Sequence, residues 1–432
     1  MRDLGRSDDP RVQAQLDRLG SLSIQRDTLG LDAVRTLLAR LGDPHKRLPP
    51  VFHVAGTNGK GSTCAFLRAI LEAQGYTVHV TTSPHLVRYN ERFRIAGTLI
   101  EDARLAELLE QVFDAAEGLG CSFFEITIAA AFVEFARVPA DACVVEVGLG
   151  GRLDATNVLE PDVLAACGIA ALGIDHERFL LAPEDGVPEE PMARIAFEKA
   201  GIAKAGVPLV TMGNAYAPEA QAAIKSVAAV NQAILFEDFV NFYIDDANCY
   251  YVDHHSDETQ LAPALNGEHQ FKNAGLAIAM VLNQEKLAIC KPAIVEGINS
   301  ASWPARLQRL SEGSLTKMVP GKNVWLDGGH NPSAGRAIAD EIGSTHLILG
   351  MLDNKDPRAL LDPLGEKVRS LTIVPVPGHD AHPAKAFGPD AKAAADLEEA
   401  LLNLPSDDYP VLIAGSLYLA GEALRLNDEI PV

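Results

Sequence analysis

The chain has 432 residues, 47% of them hydrophobic and 22% charged, with a formal net charge of −21. That length exceeds what one hydrophobic core usually organises, so two domains are expected, and the composition is that of a globular protein. The acidity excludes general binding to nucleic acid or to an anionic membrane surface; an anionic ligand must be met by locally clustered basic residues. Six scattered cysteines (Cys64, Cys121, Cys143, Cys167, Cys249 and Cys290) form no C-x-x-C pair and read as reduced residues, mostly of the core. The opening MRDLGRSDDPR has no apolar leader segment and no run approaches a membrane span, which points to the cytoplasm.

The first strong signal is an apolar run, 51–55, that reads as a buried strand. A glycine-rich turn follows, Gly56-Thr57-Asn58-Gly59-Lys60-Gly61, and then helical periodicity over 62–74 that Gly75 stops. Strand, glycine loop with one lysine, and helix opened by Ser62-Thr63 is how proteins hold polyphosphate. The glycines let backbone N–H groups approach phosphate oxygens, and the helix N-terminus adds partial positive charge. Lys60 would reach the β/γ oxygens, and the Ser62 or Thr63 hydroxyl could ligate Mg²⁺. The spacing is not G-x-x-x-x-G-K-[ST], because Gly61 separates the lysine from the serine. On pattern alone an ordinary glycine-rich strand–helix turn is the alternative.

Further strands are expected at 76–82, 142–147, 163–170 and 207–212, with helices at 102–117, 124–137 and 191–204. Strands alternating with helices imply an α/β fold, a P-loop-type doubly wound parallel sheet. Residues 234–260 are aromatic and alternating and read as an antiparallel hairpin turning at Asp246-Ala247-Asn248; 267–282 resumes as helix. A second, smaller Rossmann-like block has strands at 323–327, 346–350, 371–376 and 410–414, with helices at 333–342, 390–402 and 416–426. The junction is placed in the short polar stretch 298–304, giving domains 1–298 and 299–432. The acidic, proline-rich 181–191 reads as a solvated surface insertion.

Three polar clusters fall at carboxyl ends of expected strands, where open α/β sheets bind ligands. The first is Thr82-Ser83-Pro84-His85, followed by Arg88, Arg92 and Arg94. A strand-end hydroxyl could bind a metal and the arginines could gather an anionic substrate, or the stretch is a solvated basic loop. The second runs from Glu146 through Gly148, Gly150, Gly151 and Arg152 to Asp154, Thr156 and Asn157, with Glu146 placed like an acid that binds Mg²⁺. The third is Asp175-His176 with Glu198-Lys199. Met192, Ile195 and Lys199 share one helical face, which would bury the lysine and lower its pKa. Spacing taken alone favours a lysine snorkelling to solvent and a structural histidine. In the second block, Trp303-Pro304-Ala305-Arg306 precedes Asp327-Gly328-Gly329-His330-Asn331, another strand-to-helix ligand site. One site per block suggests a reaction in the cleft between them.

The ordered set HVAGTNGKGST, TSPHLVRYNERFRI, EVGLGGRLDATN, GIDH, EKAGI, GEHQ–NA, WP-x-RLQ, LDG-x-HNP and GSLYLAG resembles the folylpolyglutamate synthase/dihydrofolate synthase family of Mur-ligase-like ATP-dependent amide ligases, from about residue 20 to 426. The resemblance implies ligation of L-glutamate to dihydropteroate and to folates through an acyl phosphate. It implies that Gly56, Thr57, Asn58, Gly59, Lys60, Gly61, Ser62 and Thr63 cradle ATP, with Asn273, Arg306, Asp327, His330 and Asn331 on the nucleotide or glutamate side. Ser62, Ser83, Glu146, His176 and Lys199 would serve Mg²⁺, with two ions expected and Lys199 carbamylated. Ser83, Pro84, His85, Arg88, Phe124, Asp154 and Ala155 would line the substrate side, and Lys60, His176, Lys199 and Asp154 would act in the chemistry. The chain departs from the family pattern at Ala305, where glycine is usual, at Gly329, where alanine is usual, and in a longer loop after His176. Alternatives are a monofunctional folylpolyglutamate synthase, a peptidoglycan-type Mur ligase, disfavoured because the phosphate loop begins only about fifty residues in, and a nucleotide-dependent binding protein. Nothing in the sequence signals an oligomer, so a monomer is expected.

Overall fold

The structure, a computed structural model, describes residues 6–22, 30–245, 249–253 and 258–432. Its centre is strand β1 (Val51–Ala55), every residue of which is buried. A strand covered on both faces must be apolar on both faces, which is why 51–55 reads as a continuous run. The one polar member, His53, is fully buried; its Nε2 lies 2.9 Å from the Thr156 hydroxyl, and desolvation pulls its pKa down to about 3.

Seven more strands complete the first sheet: β2 (Val78–Thr81), β3 (Arg94–Ile95), β4 (Thr98–Leu99), β5 (Ala142–Glu146), β6 (Leu164–Ile169), β7 (Pro208–Thr211) and β8 (Ile234–Glu237). Their order is β4-β3-β2-β5-β1-β6-β7-β8, with β2 through β8 parallel wherever β5, β1, β6 or β7 is a partner and the short β3 and β4 antiparallel at one edge. β1 therefore lies between β5 and β6, so the loops leaving all three open side by side. The helix Lys60–Ala73 packs against His269–Leu282 and Lys291–Ser300. The helices the sequence reading does not identify include Pro218–Val230, Lys291–Ser300, Pro10–Ser21 and Asp32–Arg40, the last two packing on Asp102–Ala115 and Phe123–Arg137 respectively.

The hairpin expected over 234–260 forms, but over a shorter span. Ile234–Glu237 joins the parallel sheet as its edge strand, and the remainder forms a separate three-stranded antiparallel sheet of β9 (Tyr243–Asp245), β10 (Tyr250–Val252) and β11 (Glu258–Gln260). The aromatic alternation marks strands but does not say which sheet they join. The turn expected at 246–248 lies outside the described residues.

The third sheet comprises β12 (Gln308–Arg309), β13 (Val324–Leu326), β14 (Thr345–Leu349), β15 (Val368–Ile373), β16 (Lys392–Ala393) and β17 (Val411–Ala414), in the order β12-β13-β17-β14-β15-β16. Period-two alternation splits its core: Ile348, Val411 and Ile413 face one apolar cluster, and Leu347, Leu349, Leu412 and Ala414 the other. One helix boundary differs from expectation, and a helix reaches the stretch where the junction is expected. Helix Lys291–Ser300 runs into the expected junction, and the helix expected over 390–402 is confined to Leu397–Leu402, because Lys392–Ala393 pairs with β15 as an edge strand.

Candidate active site

The phosphate loop leaves β1 and turns at Gly59, whose φ of +82° is left-handed and against which the Asn273 amide is packed. A side chain there would be strained in backbone and would strike Asn273. Gly61 is fixed by another neighbour: a Cβ would sit 2.8 Å from the indole nitrogen of Trp303. Asn273 and Trp303 thus wall the loop, from a helix of the first unit and from the segment leading to the third sheet. The Thr57 and Asn58 N–H groups both donate to the Ala171 carbonyl, at 2.8 and 3.1 Å. The N–H groups of the first helical turn, Gly59 to Ser62, remain as the donors a polyphosphate would meet. Lys60 Nζ folds back over the loop, 3.2 Å from the Gly56 carbonyl, 3.4 Å from that of Thr57 and 4.0 Å from Glu146 Oε1.

Strand register puts Glu146, the last residue of β5, beside Val54 of β1. Its carboxylate is buried, and its Oε2 accepts the Ser83 N–H at 3.1 Å. Burial pushes the Glu146 pKa up, against the nearby charge of Lys60. Lys199 does not snorkel: it is 4% exposed, and its ammonium donates to the Gly56 carbonyl at 2.9 Å. Burial and the neighbouring Lys60 bring its pKa down to about 7, so a neutral amine is well populated at neutral pH. His176, at φ +53°, opens the short helix Glu177–Leu180. Burial lowers its pKa to about 4, against the pull of Asp175, leaving a neutral imidazole. Ser62 and Thr63 are buried, and the Thr63 hydroxyl has no hydrogen-bond partner among the described residues.

Among the described residues no three His, Cys, Asp or Glu converge as a metal cage. The donors gathered instead are one carboxylate, hydroxyls, one neutral imidazole and a buried amine. Such a set suits Mg²⁺, which keeps waters and takes phosphate oxygens rather than a full protein cage.

The second unit reaches the loop directly. The side-chain amides of Asn58 and Asn331 exchange hydrogen bonds at 3.2 and 3.0 Å, and Asn331 also caps the helix Pro332–Glu341 through the Ala334 N–H at 2.9 Å. His330 Nδ1 lies 2.9 Å from the Gly328 carbonyl, which turns Nε2 toward Asp175 Oδ2 at 3.8 Å. Asp327 is a brace: its two oxygens accept the Leu307 and Gly329 N–H groups at 2.8 and 2.6 Å. Ala305 is buried at φ +57°, a left-handed conformation that accounts for the glycine usual there. At Gly329 a Cβ would lie 2.8 Å from Asp327 Oδ1, so an alanine would press on that brace.

A cleft of about 580 Å³ opens between the two units. Gly61, Ser83, Pro84, Glu146, Trp303 and Arg306 line it, with Arg68, Arg94 and Arg309 adding positive charge to a strongly acidic protein. The sequence reading did not single out Arg68 or Arg309. A basic residue two helical turns beyond the phosphate loop was the available signal for Arg68.

The expected substrate-side residues are less uniform. Pro84 and Ser83 line the cleft, and Arg88 donates to the Pro431 carbonyl at 3.3 Å. His85 is buried and accepts from Arg92 Nε at 2.9 Å, while Arg92 also lies over the Tyr89 and Phe123 rings, so this arginine serves the core rather than the cleft. Phe124 packs against Gly148, where no Cβ could fit. Asp154 is buried, and its oxygens accept the Leu149 N–H at 2.8 Å, the Thr156 N–H at 3.0 Å and the Thr156 hydroxyl at 2.5 Å. These bonds set the shape of the 148–157 loop and bury Ala155 beside it. The acidic insertion is tied down: Glu184 meets Arg152 at 2.5 Å and Arg194 at 2.8 Å.

A nucleotide loop, a hard-cation donor set and a second α/β unit closing over both define an ATP-dependent ligase-type site. No family model matches the chain. It is 33% identical over 442 residues to the Bacillus subtilis dihydrofolate synthase/folylpolyglutamate synthase, covering 91% of this chain and 94% of that one. It is also 32% identical to a probable bifunctional folylpolyglutamate synthase/dihydropteroate synthase of Halobacterium salinarum, of which it spans 49%. Among solved structures, Escherichia coli FolC in complex with DHPP and ADP superposes with a TM-score of 0.82 at 29% identity, over 96% of this chain and 97% of that chain. A bifunctional folylpolyglutamate synthase/dihydrofolate synthase with Mn, AMPPNP and L-glutamate bound gives 0.81 at 30% identity, over 96% and 97%. The chain belongs to the dihydrofolate synthase/folylpolyglutamate synthase family.

Proposed function

We propose that the protein joins L-glutamate to dihydropteroate and to folates in a reaction driven by ATP. The observation that carries this reading is the meeting, around the phosphate loop, of Glu146, His176 and Lys199 with, from the second unit, Asn331 and His330. A carboxylate oxygen of the acceptor attacks the γ-phosphorus of ATP, releasing ADP and leaving an acyl phosphate. The amine of glutamate adds to the acyl carbon, and the tetrahedral intermediate expels phosphate and loses a proton as the amide forms. The first-turn N–H groups and Lys60 hold the phosphates in line, which is most of what phosphoryl transfer asks of a protein. The second unit, docked through Asn331 on Asn58, keeps water from the acyl phosphate.

Glu146, His176, the Ser62 and Ser83 hydroxyls and Lys199 would hold two divalent cations, whose chemistry is to offset charge on the transferring phosphoryl group. Lys199 would serve as its carbamate, made from the neutral amine. Arg306 and His330 face the nucleotide or glutamate side, while Phe124, Asp154 and Ala155 shape the pterin side. The proposed division falls near 299, supported by a third sheet that starts at Gln308 with its own core. In this reading the protein is a cytoplasmic monomer without nucleic-acid or membrane partners; no helix among the described residues is long and apolar enough to cross a membrane.

Glutamate-dependent ADP release, with dihydropteroate and tetrahydrofolate offered separately, tests the reading. Release is expected with both acceptors, and Lys60→Ala or Glu146→Ala should lower turnover at least ~100-fold with near-normal thermal melting. Silence with both acceptors despite ATP binding would reject the assignment.

A further inference from the structure

We propose that Lys355 is a positioning residue for the ligation: its ion pair with Asp175 latches the third-sheet unit onto the phosphate-loop unit and sets His330 opposite His176. The proposal rests on the function given above. Asp175 ends a segment on which the phosphate loop leans. Ala171 takes the Thr57 and Asn58 N–H groups, and Gly173 exchanges two hydrogen bonds with the Thr57 hydroxyl at 2.8 and 3.1 Å. A displacement of Asp175 is therefore felt in the loop within a few residues.

Lys355 comes from the other unit, on the loop that leaves the carboxyl end of β14. That loop is braced from behind: His382 Nε2 lies 2.7 Å from the Lys355 carbonyl, and the His382 N–H donates to Met351 at 3.0 Å. The ammonium so held lies 2.6 Å from Asp175 Oδ1, with the two side chains only 12% and 14% exposed. Asp175 Oδ2 meanwhile sits 3.9 Å from His176 Nε2 and 3.8 Å from His330 Nε2. One carboxylate thus faces a histidine from each unit while a lysine holds its other oxygen. A solvent-exposed pair of this kind would contribute almost nothing, but this one is largely withdrawn from water and joins residues 180 positions apart. The side chain through which Lys355 meets the two histidines is Asp175, whose other oxygen faces both.

The test uses the full chain with Lys355→Met, Asp175→Asn, the double variant and Lys355→Arg. Loss of the latch should let water reach the acyl phosphate. Lys355→Met is expected to raise glutamate-independent relative to glutamate-dependent ADP release by about 10-fold, midrange for two side chains in direct contact. KM for glutamate should rise with it, while nucleotide affinity changes by less than about 3-fold. Lys355→Arg should recover most of the coupling, and adding Asp175→Asn to Lys355→Met should cost little more. Wild-type coupling in Lys355→Met, a fall in melting temperature with coupling intact, or full additivity of the two substitutions would each overturn the latch. Small-angle scattering with a non-hydrolysable ATP analogue separates the latch from the function. A wild type that ligates no glutamate would sink the assigned reaction, yet a compact wild type beside an expanded Lys355→Met would still support the latch. Equal radii would overturn it.

Discussion

Lys199 carries a cation into a place where a cation is poorly solvated, and among the described residues the Gly56 carbonyl alone accepts from it. Its pKa near 7 lies below the ordinary lysine value, so the folded protein sheds this proton before the unfolded chain does. The sign follows: the burden on stability is full below about pH 7 and is relieved as pH rises toward the ordinary lysine pKa. The same neutral amine can add CO₂. With carbon-labelled bicarbonate, a carbamate resonance is expected in the wild type, growing as pH rises through about 7 and absent in Lys199→Arg. A wild type without that resonance would contradict a carbamylated Lys199. At this scale the motif residues Lys60, Glu146, His176 and Lys199 were legible because each follows a strand end or a helical repeat visible in a few residues. The lysine's burial was not. Spacing alone favoured an exposed ammonium, and only the packing of helix Pro191–Ala200 against the loop at Gly56 decides otherwise.

Helix Phe123–Arg137 illustrates what an element adds. It begins with a reciprocal cap, in which Ser122 Oγ accepts the Glu125 N–H at 3.3 Å and Glu125 accepts the Ser122 N–H at 2.7 Å. Near its other end the buried Glu134 is gripped by Arg104 at 2.9 Å and by Arg137 at 2.5 Å. Burial alone would raise its pKa, but the two guanidiniums hold it below the ordinary value. Stability from Glu134 is therefore present above the ordinary glutamate pKa and is lost as pH falls through the lowered folded value. Glu134→Gln should lower the melting temperature at pH 7, with the difference from wild type closing below about pH 4. A difference that stayed constant as pH fell well below that value would show that the ion pairs are not its source. Elements of this kind were read well where apolar periodicity was strong, as in β1, β5 and His269–Leu282. Pro10–Ser21 and Asp32–Arg40 do carry clear apolar faces, Val12, Leu16 and Leu19 in one and Ala33, Val34, Leu37 and Leu38 in the other, which the sequence reading passes over. Ile234–Glu237 was assigned to the wrong sheet because alternation reports a half-buried strand, not its partner.

At the scale of the molecule, two α/β units meet along the carboxyl ends of their strands, and the acceptor, ATP and glutamate are expected to meet there too. The class of reaction was legible in the ordered motifs. The contacts that assemble the cleft were not, since Asn58 with Asn331, Gly61 with Trp303 and Asp175 with Lys355 are each far apart in sequence. Lys355 did leave a signal, a lone lysine just past the end of an expected strand, but nothing local distinguishes it from a surface charge. The central claim is that the acceptor carboxylate gives up an oxygen to phosphate through an acyl phosphate. The measurement that tests it most directly uses an acceptor labelled with heavy oxygen in its carboxylate and follows the label by mass spectrometry during ligation. The expected result is one labelled oxygen in each phosphate released. Amide product formed with unlabelled phosphate, the departing carboxylate oxygen found in water instead, would contradict the account.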